Sequence, residues 1–96
     1  MKLMNITLST FAKMYLDKCY VQNFTRFKDM IDGIGRFEGD IVKLKGKDNL
    51  YRLMKQNRRI LFRHEPGSTS IHIEYIYRKG DKFNGEKAYA NKPEAV

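Results

Sequence analysis

Arg52, Arg59, Arg63 and Arg78 are the residues of this chain whose type and spacing suit a definite chemistry. A guanidinium is a planar fork of fixed donors that matches phosphate oxygens, so several on one surface make a phosphodiester clamp. They fall in segments where charged and apolar residues alternate, as in Tyr51-Arg52-Leu53 and Arg59-Ile60-Leu61-Phe62-Arg63. Residues two apart in a strand share a face. With the more apolar side packed inward, the other side gathers Arg52, Arg59, Arg63 and Arg78, with His72 and Glu74 nearby. In the last strand this places Ile71, Ile73, Tyr75 and Tyr77 on one side and His72, Glu74, Ile76 and Arg78 on the other.

The charge distribution points the same way. Between Lys43 and Arg63 there are eight bases (Lys43, Lys45, Lys47, Arg52, Lys55, Arg58, Arg59 and Arg63) and a single acid, Asp48. That window carries +7 of the formal +8, while residues 1–42 contribute +1 and residues 64–96 nothing. A positive field confined to one segment favours a polyanion. Taken singly, each group also has an ordinary role: a strand Arg protects an edge, Lys43 and Lys45 decorate a turn, and Glu74 offsets a neighbouring Arg. Their convergence is what favours a nucleic-acid partner. His64 and His72 are not spaced as a metal pair and no Cys or carboxylate completes a site, so no metal or other cofactor is expected.

These groups must be positioned by a single domain, since the chain has only 96 residues. No apolar run approaches the roughly 18–20 residues of a membrane span, and Met1-Lys2-Leu3-Met4-Asn5 lacks a signal-peptide pattern. Cys19 is alone, which rules out an intrachain disulfide and fits a reducing cytoplasm. Residues 1–7 read as a first strand, and Ser9 or Thr10 caps a helix over about 10–18 with Leu8, Phe11, Met14 and Tyr15 on one face. A second helix over about 20–34 carries the stripe Tyr20, Phe24, Phe27, Ile31 and Ile34, read as core, and Gly33 and Gly35 end it. Strands follow at 41–44, 50–55, 59–63 and 70–78, with turns at Lys45 to Asn49, at Gln56-Asn57 and at Pro66-Gly67. The expected architecture is α+β: two amino-terminal helices on one face of a small, largely antiparallel twisted sheet. The domain spans 1–83, and 84–96, poor in apolar residues, is expected to be a mobile tail.

On these residues the chain resembles the RelE/ParE toxin superfamily. The resemblance rests on the turn Lys43-Leu44-Lys45-Gly46, the strand Tyr51-Arg52-Leu53, the strand Asn57-Arg58-Arg59-Ile60-Leu61-Phe62-Arg63, and the closing run from Ile73 to Phe83. It covers about residues 38–83, and two preceding helices fit the family's layout. It implies a small basic toxin held in check by a cognate acidic antitoxin. For the RelE branch it implies messenger RNA cleavage on the ribosome without a metal, the RNA's own 2′-hydroxyl attacking the adjacent phosphate. Arg59 then matches the transition-state arginine, Arg52 a supporting basic strand position, and Arg78 or Lys79 the basic residue of the last strand. Phe83 falls where a Tyr commonly stacks on a base. Lys43, Lys45, Lys47, Arg58 and Arg63 would hold RNA backbone. Two positions depart from the pattern: Met54 stands where some members carry a second base, and Phe83 has no hydroxyl to give a proton, which Tyr77, His72 or Lys45 would have to supply. The ParE branch, which poisons DNA gyrase by protein contact, and a non-catalytic nucleic-acid-binding domain are the alternatives.

Overall fold

The computed structural model describes residues 4–81. The elements run β1 (Asn5–Leu8), α1 (Thr10–Lys18), α2 (Val21–Gly35), β2 (Asp40–Lys43), β3 (Leu50–Lys55), β4 (Arg58–Arg63) and β5 (Ser70–Arg78). The five strands form one sheet in the order β1-β5-β4-β3-β2, with β1 parallel to β5 and every other pair antiparallel. This is the α+β architecture expected from the sequence. Phe83 and the proposed tail 84–96 lie outside the described residues. Among the described residues no helix is long and apolar enough to cross a membrane.

The helices are joined to the sheet at specific points. Ser9, extended at φ −66° and ψ 162°, caps α1 by accepting from the Ala12 N–H (3.0 Å), while its hydroxyl donates to the Glu74 carbonyl. Its own N–H donates to the Ile73 carbonyl (2.8 Å), so the start of α1 is fastened to the middle of β5. At the far end of α2, the Phe37 N–H reaches the Ile34 carbonyl and the Glu38 N–H the Gly33 carbonyl, both at 2.8 Å. This is a Schellman ending, whose left-handed residue is usually glycine. Here it is Phe37 at φ 54°, held by ring contacts to Tyr51, Phe62 and His64. Gly33 and Gly35, the expected terminators, are both still inside the helix.

The main core lies between helices and sheet. Ala12, Leu16, Phe27, Met30 and Ile34 pack on Leu53, Ile60, Phe62, Ile71, Ile73 and Ile76. The expected stripe on α2 is only partly core: Phe27 and Ile34 are fully buried and Met30 joins them, whereas Tyr20 and Phe24 are exposed. Tyr20 is the N-cap residue, outside the helix, so the 3.6-residue period no longer governs where it points. On α1 the buried residues are likewise Ala12 and Leu16, one position on from the expected Phe11 and Tyr15, and Met14 is exposed. A second, smaller cluster of Leu50, Leu61 and Tyr77, with Leu44 and Tyr75 against it, occupies the other face of the sheet.

Candidate nucleic-acid interface

The face opposite the helices is shaped by an irregularity in β5. Leu61 of β4 stands opposite Tyr75, but the next residue, Phe62, stands opposite Ile73, which leaves Glu74 as an extra residue. Such a β-bulge shifts the alternation of the strand by one. Before it, Ile71 and Ile73 face the helices, and after it Ile76 does. Tyr75 and Tyr77 therefore emerge on the opposite face, where sequence alternation had placed Arg78. Arg78 goes to the helix side, where its register partner is Arg58, and it borders a cleft against α1.

Cross-strand registers assemble the arginine face row by row. Arg59 sits between Met54 of β3 and Tyr77 of β5. In the next row Leu61 sits between Arg52 and Tyr75, and in the third Arg63 sits between Leu50 and His72. Arg52 and Arg59 are diagonal neighbours on adjacent strands, a separation of about 7–8 Å between Cα positions and within reach of long side chains. Both are half-buried. Arg59 Nη1 is buried and has no hydrogen-bond partner, and its two row neighbours, Met54 and Tyr77, carry no negative charge.

The remaining expected residues are placed differently. Arg63 is ion-paired with Glu74 through Nε and donates from Nη1 to the Asp48 carbonyl (2.9 Å), so its charge is largely answered within the fold. Arg58 lies on the helix side. Its Nη2 donates to Asn23 Oδ1 (3.0 Å), its Nη1 to Gln56 Oε1 (3.2 Å), and its Cζ sits 6.0 Å from the centre of the Phe27 ring. It ties the β3–β4 hairpin to α2. Lys43 stands opposite Tyr51 on the helix side of β2, while Lys45 and Lys47 occupy the turn leading to β3, at the Arg63 end of the sheet. Lys79 is exposed beyond β5, where its N–H bonds the Asn57 carbonyl (2.7 Å). Of the three residues named as alternative proton donors, Tyr77 is the one beside Arg59; His72 lies two rows away, its Nδ1 2.8 Å from Thr7 Oγ1.

Sequence reasoning missed Tyr75 and Tyr77 as members of this face. One signal was available: Ile76 was the single apolar residue in a set otherwise made of His72, Glu74 and Arg78, and a misfit of that kind marks a slip in alternation.

The fold is that of RelE toxin structures. A chain of the archaeal RelE-RelB complex from Pyrococcus horikoshii OT3 superposes with a TM-score of 0.66 at 19% identity, over 81% of this chain and 97% of that one. A chain of the toxin-antitoxin complex RelBE2 from Mycobacterium tuberculosis gives 0.65 at 15% identity, over 84% and 97%. The isolated E. coli RelE toxin gives 0.62 at 10% identity, over 91% and 94%. No family model matches the sequence, and no curated relative matches it either.

Proposed function

We propose that this chain is the toxin of a toxin–antitoxin pair and that it cleaves messenger RNA presented by the ribosome. The observation that carries this reading is Arg59: a half-buried guanidinium set between the uncharged Met54 and Tyr77, on a face that Arg52 shares. In-line attack of a 2′-hydroxyl on the adjacent phosphate builds extra negative charge on the phosphorane. A preorganised donor aimed at that charge lowers the barrier most in a site that excludes water. Arg59 takes that role and Arg52 steadies the neighbouring phosphate. The attacking 2′-hydroxyl loses its proton to water, and the leaving 5′-oxygen takes one from water as its bond to phosphorus breaks, since the Tyr77 hydroxyl beside Arg59 is buried. Phe83 keeps the base-stacking role that the resemblance implies. The likeness to chains from RelE-RelB complexes supports an antitoxin partner, and the net charge of +8 supports an acidic segment in it.

Induced expression of the chain alone, followed by sequencing of transcript 5′ ends, tests this. New ends inside translated frames, absent with Arg59→Ala, are the expected result. Intact transcripts with double-strand DNA breaks would instead indicate the gyrase branch. Intact transcripts without breaks would indicate a non-catalytic binder.

A further inference from the structure

The bulge that removes Arg78 from the arginine face delivers it to a second concave site. Between α1, the start of α2 and the end of β5 lies an open cleft of about 360 Å³, whose walls include Phe11, Tyr15, Tyr20, Lys18, Asn23 and Arg78. Its aromatic floor is fixed. The Tyr15 hydroxyl donates to Asp81 Oδ2 (2.8 Å), and its ring packs edge-on against Phe27 (5.7 Å between centres, 89°) and lies near-parallel to Phe11 (6.5 Å, 26°). Asp81 Oδ2 also accepts the Arg78 backbone N–H (2.7 Å), while Oδ1 approaches Arg78 Nε only to 3.9 Å. The carboxylate thus spends its short contacts on holding Tyr15 and the β5 terminus. At the mouth, Tyr20 is 85% exposed and Lys18 is exposed, so a large ring and a cation stand in solvent beside that floor.

We propose that this cleft binds one nucleotide of single-stranded RNA at a distance from the cleaved bond, its base stacked among Tyr15 and Tyr20 and its phosphate held by Arg78 and Lys18. Asn23, whose Oδ1 already accepts from Arg58, keeps its amide N–H groups to offer to a base edge. Ring platforms with cations at the rim are the general solution for unpaired RNA, because every base has a π-face and every nucleotide a phosphate. The volume suits this occupant. About 300 Å³ is the lower end for small-ligand sites, whereas an amphipathic helix needs a groove long enough for anchors at i, i+3 or i+4 and i+7. The proposal rests on the reading of the chain as an RNA-cleaving toxin and extends it to a subsite remote from Arg59.

Cys19, the sole cysteine, also lines the cleft and reports its occupancy. The full chain is alkylated with iodoacetamide at alkaline pH, since burial pushes the Cys19 thiol up. The probe is 2′-O-methyl tetrauridine, which cannot be cleaved by 2′-hydroxyl attack. Saturating probe is expected to slow alkylation several-fold. Tyr20→Ala, a truncation of an exposed side chain, is expected to raise the concentration for half-protection by about 5- to 150-fold, the loss of one stacked base. Lys18→Ala provides a second exposed variant with an effect in the same direction, and Arg59→Ala should leave protection unchanged. Absence of protection, equal protection in Tyr20→Ala, or protection by an acidic amphipathic peptide but not by the probe overturns the proposal. Protection without new transcript ends in cells would leave the cleft standing and remove the ribonuclease reading; new ends without protection would do the reverse.

Discussion

The two faces of this sheet are built on different terms. The helix-covered face has an apolar centre in which Ile60, Phe62, Ile71, Ile73 and Ile76 are fully buried, with Arg58 and Arg78 paired at its end. The opposite face has a small apolar centre, Leu50, Leu61 and Tyr77, and sets Arg52, Arg59 and Arg63 among it. Most of the cohesion therefore resides on one side and the arginine cluster on the other, joined through the backbone of the same strands and through Phe11 of α1, whose ring packs edge-on against Tyr75 (5.3 Å between centres). The lesson is that a substitution at the arginines can remove function with little effect on folding, whereas one in the apolar centre of the helix face cannot.

The comparison breaks first on the covered side. Phe62→Ala should cost about 3–5 kcal/mol of stability, the range for emptying an aromatic core position. Urea unfolding that moved by less than about 1 kcal/mol would show that this face is not the main core. Across the sheet, Arg59→Ala should lower cleavage by about 100- to 1,000-fold, equivalent to about 2.7–4 kcal/mol of transition-state stabilisation. Its unfolding midpoint should move little, and a folded variant with full toxicity would take Arg59 out of the mechanism.

Ser9→Ala probes the seam between the faces. It removes both the α1 cap and the bond to the Glu74 carbonyl at the bulge. A loss of about 1–2 kcal/mol is expected, with amide exchange accelerated in α1 and around Glu74 together; exchange confined to α1 would mean that the cap does not support the bulge. Arg63→Ala sharpens the contrast within the arginine set. Because Arg63 is already paired with Glu74 in a partly exposed ion pair, its loss should cost at most about 1 kcal/mol and leave toxicity nearly intact. Toxicity falling as far as in Arg59→Ala would erase the distinction between the two arginines.

The smallest effect concerns pH. Burial, then the hydrogen bond and charge of Asp81, push the Tyr15 hydroxyl up to about 12 from 10.0. The folded state thus holds this proton more tightly than the unfolded chain does. The resulting stability is complete below pH 10 and is lost as pH rises through about 12. Tyr15→Phe should flatten the alkaline limb of the stability profile in that window and leave neutral pH behaviour alone.

Much of this molecule could be read residue by residue. The Ser9 cap, the turns at Gln56-Asn57 and Pro66-Gly67, the strands from Leu50 to Arg63 and the placing of Arg52, Arg59 and Arg63 on one face all follow from local rules. Each depends on neighbours in sequence: a hydroxyl three residues before an N–H, a glycine at φ 81°, or a side chain every second position. Local rules failed where the outcome depended on contacts far along the chain. Phe37 takes a position expected of glycine because Tyr51, Phe62 and His64 receive its ring. Arg78 and the two tyrosines exchange faces because burying Ile71, Ile73 and Ile76 together under the helices requires one extra residue between them. Alternation is a property of a strand alone, but a bulge is chosen by the sum of packing on both of its faces. The sequence therefore determined which residues carry the positive charge, and only the tertiary structure decided which of them meet.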